Sequence, residues 1–78
     1  MHTGTDERRQ VLVALRKRLR VPQALVEKRA NIDHPRFSKW ENGYLELSES
    51  ELAKVEQCLV NHLASERAEL QELEAASA

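Results

Sequence analysis

Seventy-eight residues are 32% charged and 4% aromatic, and they sum to a formal net charge of −1. A chain of this length makes one domain that buries only roughly 60% of its extended surface. That leaves little room for a catalytic cleft and makes pairing with a second copy useful for stability. The longest apolar run, Val11 to Leu15, is too short to cross a bilayer. Asp6 and Glu7 stand where a signal peptide would carry positive charge, and the single cysteine, Cys58, excludes an internal disulfide framework. These features predict a soluble, cytoplasmic protein without a membrane partner.

Helical periodicity runs through most of the chain. Val11, Leu12, Leu15 and Leu19 form a stripe that predicts helix 1 over about 6–19, with Thr5 as cap candidate and Asp6 and Glu7 as first-turn acids. Pro22, suited to a first helical position, opens helix 2 over about 22–30. Val26 and Ala30 face inward, and Asn31, tolerant of the left-handed conformation, ends it. Ile32 plugs the turn. Helix 3 is short: Asp33 or His34 caps it, Pro35 lies in its first turn and Gly43 stops it. Phe37 and Trp40, three apart, share its buried face. Ser48 to Glu51 spells a capping box for helix 4, with Leu52, Val55 and Leu59 inward. That helix is expected either to continue or to break near residues 61–65, and to fray over 75–78.

The charge is split. Residues 1–44 hold ten Lys/Arg and five Asp/Glu, +5; residues 45–78 hold two Lys/Arg and eight Asp/Glu, −6. A basic half invites a polyanion and an acidic half does not.

Two short helices joined by Ala30-Asn31-Ile32-Asp33 make a helix-turn-helix pattern. Arg16, Gln23, Val26, Ala30, Ile32, Phe37 and the closing Trp40-Glu41-Asn42-Gly43 sit at matching positions without a gap over residues 15–48. On these residues the chain resembles the Cro/repressor-type (XRE-class) helix-turn-helix DNA-binding family. The resemblance implies an all-α, lambda-repressor-like small helical bundle with an extended C-terminal helix. It divides the chain into a DNA-binding domain, 6–63, and a helical extension, 64–78.

The resemblance also implies roles. The segment 34–41 would lie in the major groove of double-stranded DNA. His34 and Lys39 would read base edges, Lys39 by donating to guanine. Arg36 would reach a base or a phosphate. Gln23 would bind a phosphate and brace His34, and Asn42 would contact the backbone. Arg16 and Glu41 would form an ion pair, expected to be partly exposed and of small energetic value. Three departures stand out. Val21-Pro22 replaces a Ser or Thr cap, Asn31 replaces a turn glycine, and Pro35 replaces a polar reader, able only to press on a thymine methyl. Pro35 also disfavours a helical His34, so helix 3 is expected to begin one residue late.

The residues support this independently. A helix that buries Phe37 and Trp40 turns His34, Arg36, Ser38 and Lys39 outward. Tyr44 is a further phosphate-bonding candidate. No acidic partner for His34 is evident, which argues against a pH sensor. Cys58 and His62, four apart, are two ligands short of a zinc site, and neither metal, cofactor nor catalytic constellation is predicted. Leu59, Leu63, Leu70 and Leu73 continue an apolar stripe that predicts a homodimer interface. The expected function is sequence-specific transcriptional repression on an inverted repeat, by operator occupancy. The alternative is an antitoxin or co-regulator whose acidic C-terminal helix binds a protein partner.

Overall fold

The computed structural model describes residues 3–77, with side chains for residues 6–76. Four helices follow one another: α1, Thr3–Arg18; α2, Gln23–Ala30; α3, His34–Glu41; and α4, Glu49–Ser77. The described residues contain no strand, so the fold is an all-α bundle as expected. None of these helices is long and apolar enough to cross a membrane.

Each helix ends for a local reason. At the end of α1, Arg20 enters the left-handed region at φ 59°, and Val21 N–H donates to the Arg16 carbonyl at 3.0 Å. At the end of α2, Asn31 does the same at φ 57°, with Ile32 N–H donating to Glu27 O at 2.9 Å. Gly43, at φ 83°, closes α3: its N–H donates to Trp40 O at 3.0 Å, and Tyr44 N–H donates to Lys39 O at 2.8 Å. The bonds from Val21, Ile32 and Tyr44 are six-to-one and that from Gly43 is a tighter four-to-one; all satisfy carbonyls that a helix end leaves open. The capping box of α4 forms in both directions. Glu51 N–H donates to Ser48 Oγ at 3.1 Å, and Ser48 N–H donates to Glu51 Oε1 at 2.9 Å.

The core draws on every helix and all three linkers: Leu12, Leu19, Val21, Val26, Ala30, Ile32, Phe37, Trp40, Leu47, Leu52, Val55 and Leu59. Burying a side chain such as Leu or Phe stabilises the fold by about 1.5–3 kcal/mol. Leu15, Leu25, Leu45 and Leu63 pack at its margin. Val21 and Leu47 join the core although neither belongs to a helical stripe. Chain reversals bring them inward, and periodicity does not register a linker residue.

Several expectations are corrected. Helix 1 begins before Asp6 and ends at Arg18, and Val11 faces solvent; Leu12, Leu15 and Leu19 alone keep the stripe. Thr5 lies inside that helix, and its side chain is outside the described residues. Pro22 is the residue preceding α2, in extended conformation, rather than its first helical residue. His34 is helical despite Pro35, because Asp33 takes the extended conformation at φ −72°, ψ 152° and Pro35 falls in the first turn. Helix α4 crosses residues 61–65 without a break and includes Ala75 and Ala76; Ala78 is outside the described residues. It projects past the bundle, giving overall extents of 50 × 25 × 19 Å.

Candidate nucleic-acid interface

Helix α3 is held by its aromatic side. Phe37 and Trp40 are buried, with ring centroids 5.5 Å apart and planes tilted by 39°. Such a tilted pair adds to the area it buries. His34, Pro35, Arg36 and Lys39 are exposed on the other side, and Ser38 is half-buried between the two.

The exposed cations differ in what engages them. Lys39 makes no ion pair among the described residues. Arg36 instead reaches α4 with both guanidinium nitrogens, Nη1 to Glu51 Oε2 at 2.7 Å and Nη2 to Oε1 at 3.0 Å. The Arg36 hydrogen bonds, then the Ser48 N–H, pull the Glu51 carboxyl down to about 2. Arg36 is correspondingly held above its ordinary value by the same bonds. His34 Nδ1 lies 2.7 Å from Glu27 Oε2 on α2. The expectation that His34 lacks an acidic partner is therefore corrected. Glu27 stands seven residues earlier, on another helix, where local spacing gives no hint of it.

Beneath these tips runs a part-buried polar chain. Arg16 Nε donates to Glu41 Oε2 at 2.6 Å, and Nη2 donates to Oε1 at 3.1 Å. A third Arg16 nitrogen, Nη1, donates to the Val21 carbonyl at 2.9 Å. Gln23 Nε2 completes it on Glu41 Oε1 at 2.6 Å. The Arg16 and Glu41 side chains are 13% and 7% exposed, so this pair is part-buried, as expected, and only its edge meets solvent. Removing one partner costs more than at a surface pair, because it strands a hydrogen-bonded charge with little access to water; about 3–5 kcal/mol is the cost where burial is complete. The network ties α1, the start of α2 and the end of α3 to one another, and fixes the direction in which α3 presents Lys39.

Gln23 thus braces Glu41, while His34 is braced by Glu27; the expected Gln23–His34 brace is corrected. The start of α2 carries no side-chain cap, since Pro22 has none to offer. Asn42 donates Nδ2 to Ser38 O at 2.8 Å and so caps α3 with its own amide. Tyr44 is 81% exposed. Each of these amides keeps one further hydrogen, because an NH₂ group donates twice.

Sequence reasoning missed Arg9 and Lys17. With Gln10, Val13, Ala14, Glu41 and Asn42 they line a groove of about 320 Å³ between α1 and the end of α3. The Arg9 guanidinium also lies over Gly43, about 3.4 Å from where a Cβ would stand, and pairs with Asp6 at 2.8 Å. The available signal was their spacing: residues 9, 13 and 17 repeat every four positions along one side of α1.

The apolar seam expected for a homodimer divides. Leu59 is 0% exposed and belongs to the core, so it has no surface to offer a second copy, and that assignment is corrected. Leu63 is half-buried against the core, whereas Leu70 and Leu73 are 59% and 66% exposed. Cys58 and His62 do share a face, along a groove between α2 and α4. Burial pushes the Cys58 thiol up, and Arg29 partly offsets that. Among the described residues no group of three or more His, Cys, Asp or Glu is placed to hold a metal ion. No protein-family model, curated protein or solved structure matches the chain.

Proposed function

We propose that the chain is a sequence-specific DNA-binding regulator of the Cro/repressor helix-turn-helix type, acting as a homodimer on an inverted repeat and repressing by occupying its operator. One observation carries the reading. Helix α3 is anchored by buried Phe37 and Trp40 and presents His34, Pro35, Arg36 and Lys39 to solvent. α2 and α3 then form the motif, with α3 in the major groove. Lys39, unpaired, donates to guanine O6 and N7, and Pro35 contacts a thymine methyl.

His34 and Arg36 come to the duplex already paired with Glu27 and Glu51. They serve as oriented groups, and each contact they make with DNA displaces a carboxylate. The second amide hydrogens of Gln23 and Asn42, the uncapped amides of α2, and Tyr44 flank this helix and suit phosphates, which position without specifying sequence. Arg9 and Lys17 extend the same basic surface. Two copies place their α3 helices about 34 Å apart, one helical turn of DNA.

Selection from a random duplex library tests the proposal. The expected product is an enriched inverted repeat bound with a steep salt dependence. On that repeat, Lys39→Ala weakens binding by about 1–3 kcal/mol and relaxes the choice of one base. Gln23→Ala weakens all sequences alike. Salt-insensitive, unselective binding by the parent protein would sink the proposal.

A further inference from the structure

A groove of about 400 Å³ runs between α2 and α4, lined by Leu25, Arg29, Lys54, Cys58, Asn61 and His62 together with Gln57 and Ser65. Two cations flank it, and no carboxylate lines it. Neither Arg29 nor Lys54 has a salt-bridge partner among the described residues; the nearby α4 acids Glu51 and Glu56 turn instead to Arg36 and Arg8. This groove is therefore positive where α2 meets the acidic half of the chain.

The complement is in the same helix. Residues 64–76 contain Glu66, Glu69, Glu72 and Glu74 against a single Arg67, and all are exposed. They carry Leu70 and Leu73 beside those acids. This segment cannot reach the groove within one chain. Helix α4 is continuous from Glu49 to Ser77, so Leu73 stands about 22 Å along the axis from Cys58. Charge complementarity that one chain cannot satisfy can be satisfied between two.

We infer that the acidic end of α4 from a second copy of the chain fills the Arg29–Lys54 groove, and that the exchange is reciprocal. The register supports a two-fold arrangement. Cys58, His62, Ser65, Glu69 and Leu73 follow one another at spacings of four, three, four and four, a single stripe along α4. The groove wall and the acidic end therefore share one side of the helix, as a self-complementary interface requires. Antiparallel crossing at Ser65 sets Glu69 opposite the partner copy's position 61 and Glu72 opposite its position 58, beside the two cations. Leu73, on the same stripe, is covered by the crossing. The inference rests on the homodimer in the proposed function and specifies where its seam lies.

Charge exchange tests it, by sedimentation without DNA at moderate salt. Glu69→Lys with Glu72→Lys, and separately Arg29→Glu with Lys54→Glu, should each weaken dimerisation at least tenfold. An equimolar mixture of the two variants should restore a dimer, because each supplies the charge the other has inverted. Restoration also shows that both variants fold. If the parent is a dimer and both variants dimerise as it does, or the mixture stays monomeric, the seam lies elsewhere and the inference is overturned while the homodimer stands. If the parent is itself monomeric at tens of micromolar, the homodimer fails with it. Inorganic phosphate that binds a monomeric parent at Arg29 and Lys54 would likewise overturn it, making the groove a small-anion site.

Discussion

Leu59 and Leu70 lie on the same stripe of α4, eleven residues apart, yet one is wholly buried and the other 59% exposed. Through Leu63 that stripe is packed against the rest of the bundle; over residues 64–76 it is exposed. The front of α4 is held by its packing. The back extends on the strength of helical propensity, aided by an Ala- and Glu-rich sequence. A hydrophobic repeat states which side of a helix is to be covered, not what covers it.

The sharpest way to break this contrast is truncation at both sites. Leu59→Ala should cost about 2–5 kcal/mol, as for a large-to-small change in a filled core. Leu70→Ala should alter monomer stability by less than about 0.5 kcal/mol, the usual range for surface positions. Urea unfolding at dilute protein concentration reads both. Equal losses would mean that the back of α4 is packed within one chain.

A second contrast sets the part-buried Arg16–Glu41 pair against the exposed Arg36–Glu51 pair. Both are two-point guanidinium–carboxylate contacts, and surroundings alone separate them. Glu41→Ala leaves Arg16 buried without its counter-charge and strips Gln23 of its acceptor. A loss of about 3 kcal/mol in the same unfolding measurement is expected. A loss under about 1 kcal/mol would place this network with surface pairs.

The exposed pair should show itself through pH. Glu51 is depressed in the folded state from 4.5 to about 2. A depressed carboxyl stabilises the fold fully above its unfolded value, and that contribution is lost as pH falls through the folded one. Stability should therefore decline between about pH 4.5 and pH 2. Glu51→Gln should flatten part of that decline, seen as a smaller shift in the urea midpoint from pH 5.5 to pH 3. An unchanged shift would show that Arg36 does not hold Glu51 in solution.

How far the sequence carried these features depends on range. Helix α3 was legible because its determinants are local: Phe37 and Trp40 three apart, Pro35 at the start, Gly43 at the end. The capping box of α4 was legible for the same reason. The Arg16–Glu41 pair and its partial exposure came from the resemblance, but the added bonds to the Val21 carbonyl and from Gln23 did not, since they depend on how α1, α2 and α3 meet. Glu27 beside His34 and Glu51 across Arg36 were missed altogether. Each contact joins two helices, and its existence depends on a packing angle that no spacing rule supplies. Val21 and Leu47 were missed because linkers have no period.

The smallest effect compares two helix ends that use the same backbone conformation with different residues. Arg20 closes α1 at φ 59°, and Asn31 closes α2 at φ 57°. Left-handed backbone brings Cβ close to the following carbonyl, which costs most residues about 1–2 kcal/mol. Asparagine tolerates it better, and glycine has no Cβ to clash. Arg20 is exposed and makes no ion pair among the described residues, so removing its side chain takes little from the fold. Against the relief of strain stands the greater freedom that glycine has in the unfolded chain. Arg20→Gly should therefore raise stability by about 0.5–1 kcal/mol, and Asn31→Gly by less. Thermal unfolding of the two variants beside the parent decides the order. A destabilised Arg20→Gly would mean that the arginine holds the α1–α2 turn by more than its backbone.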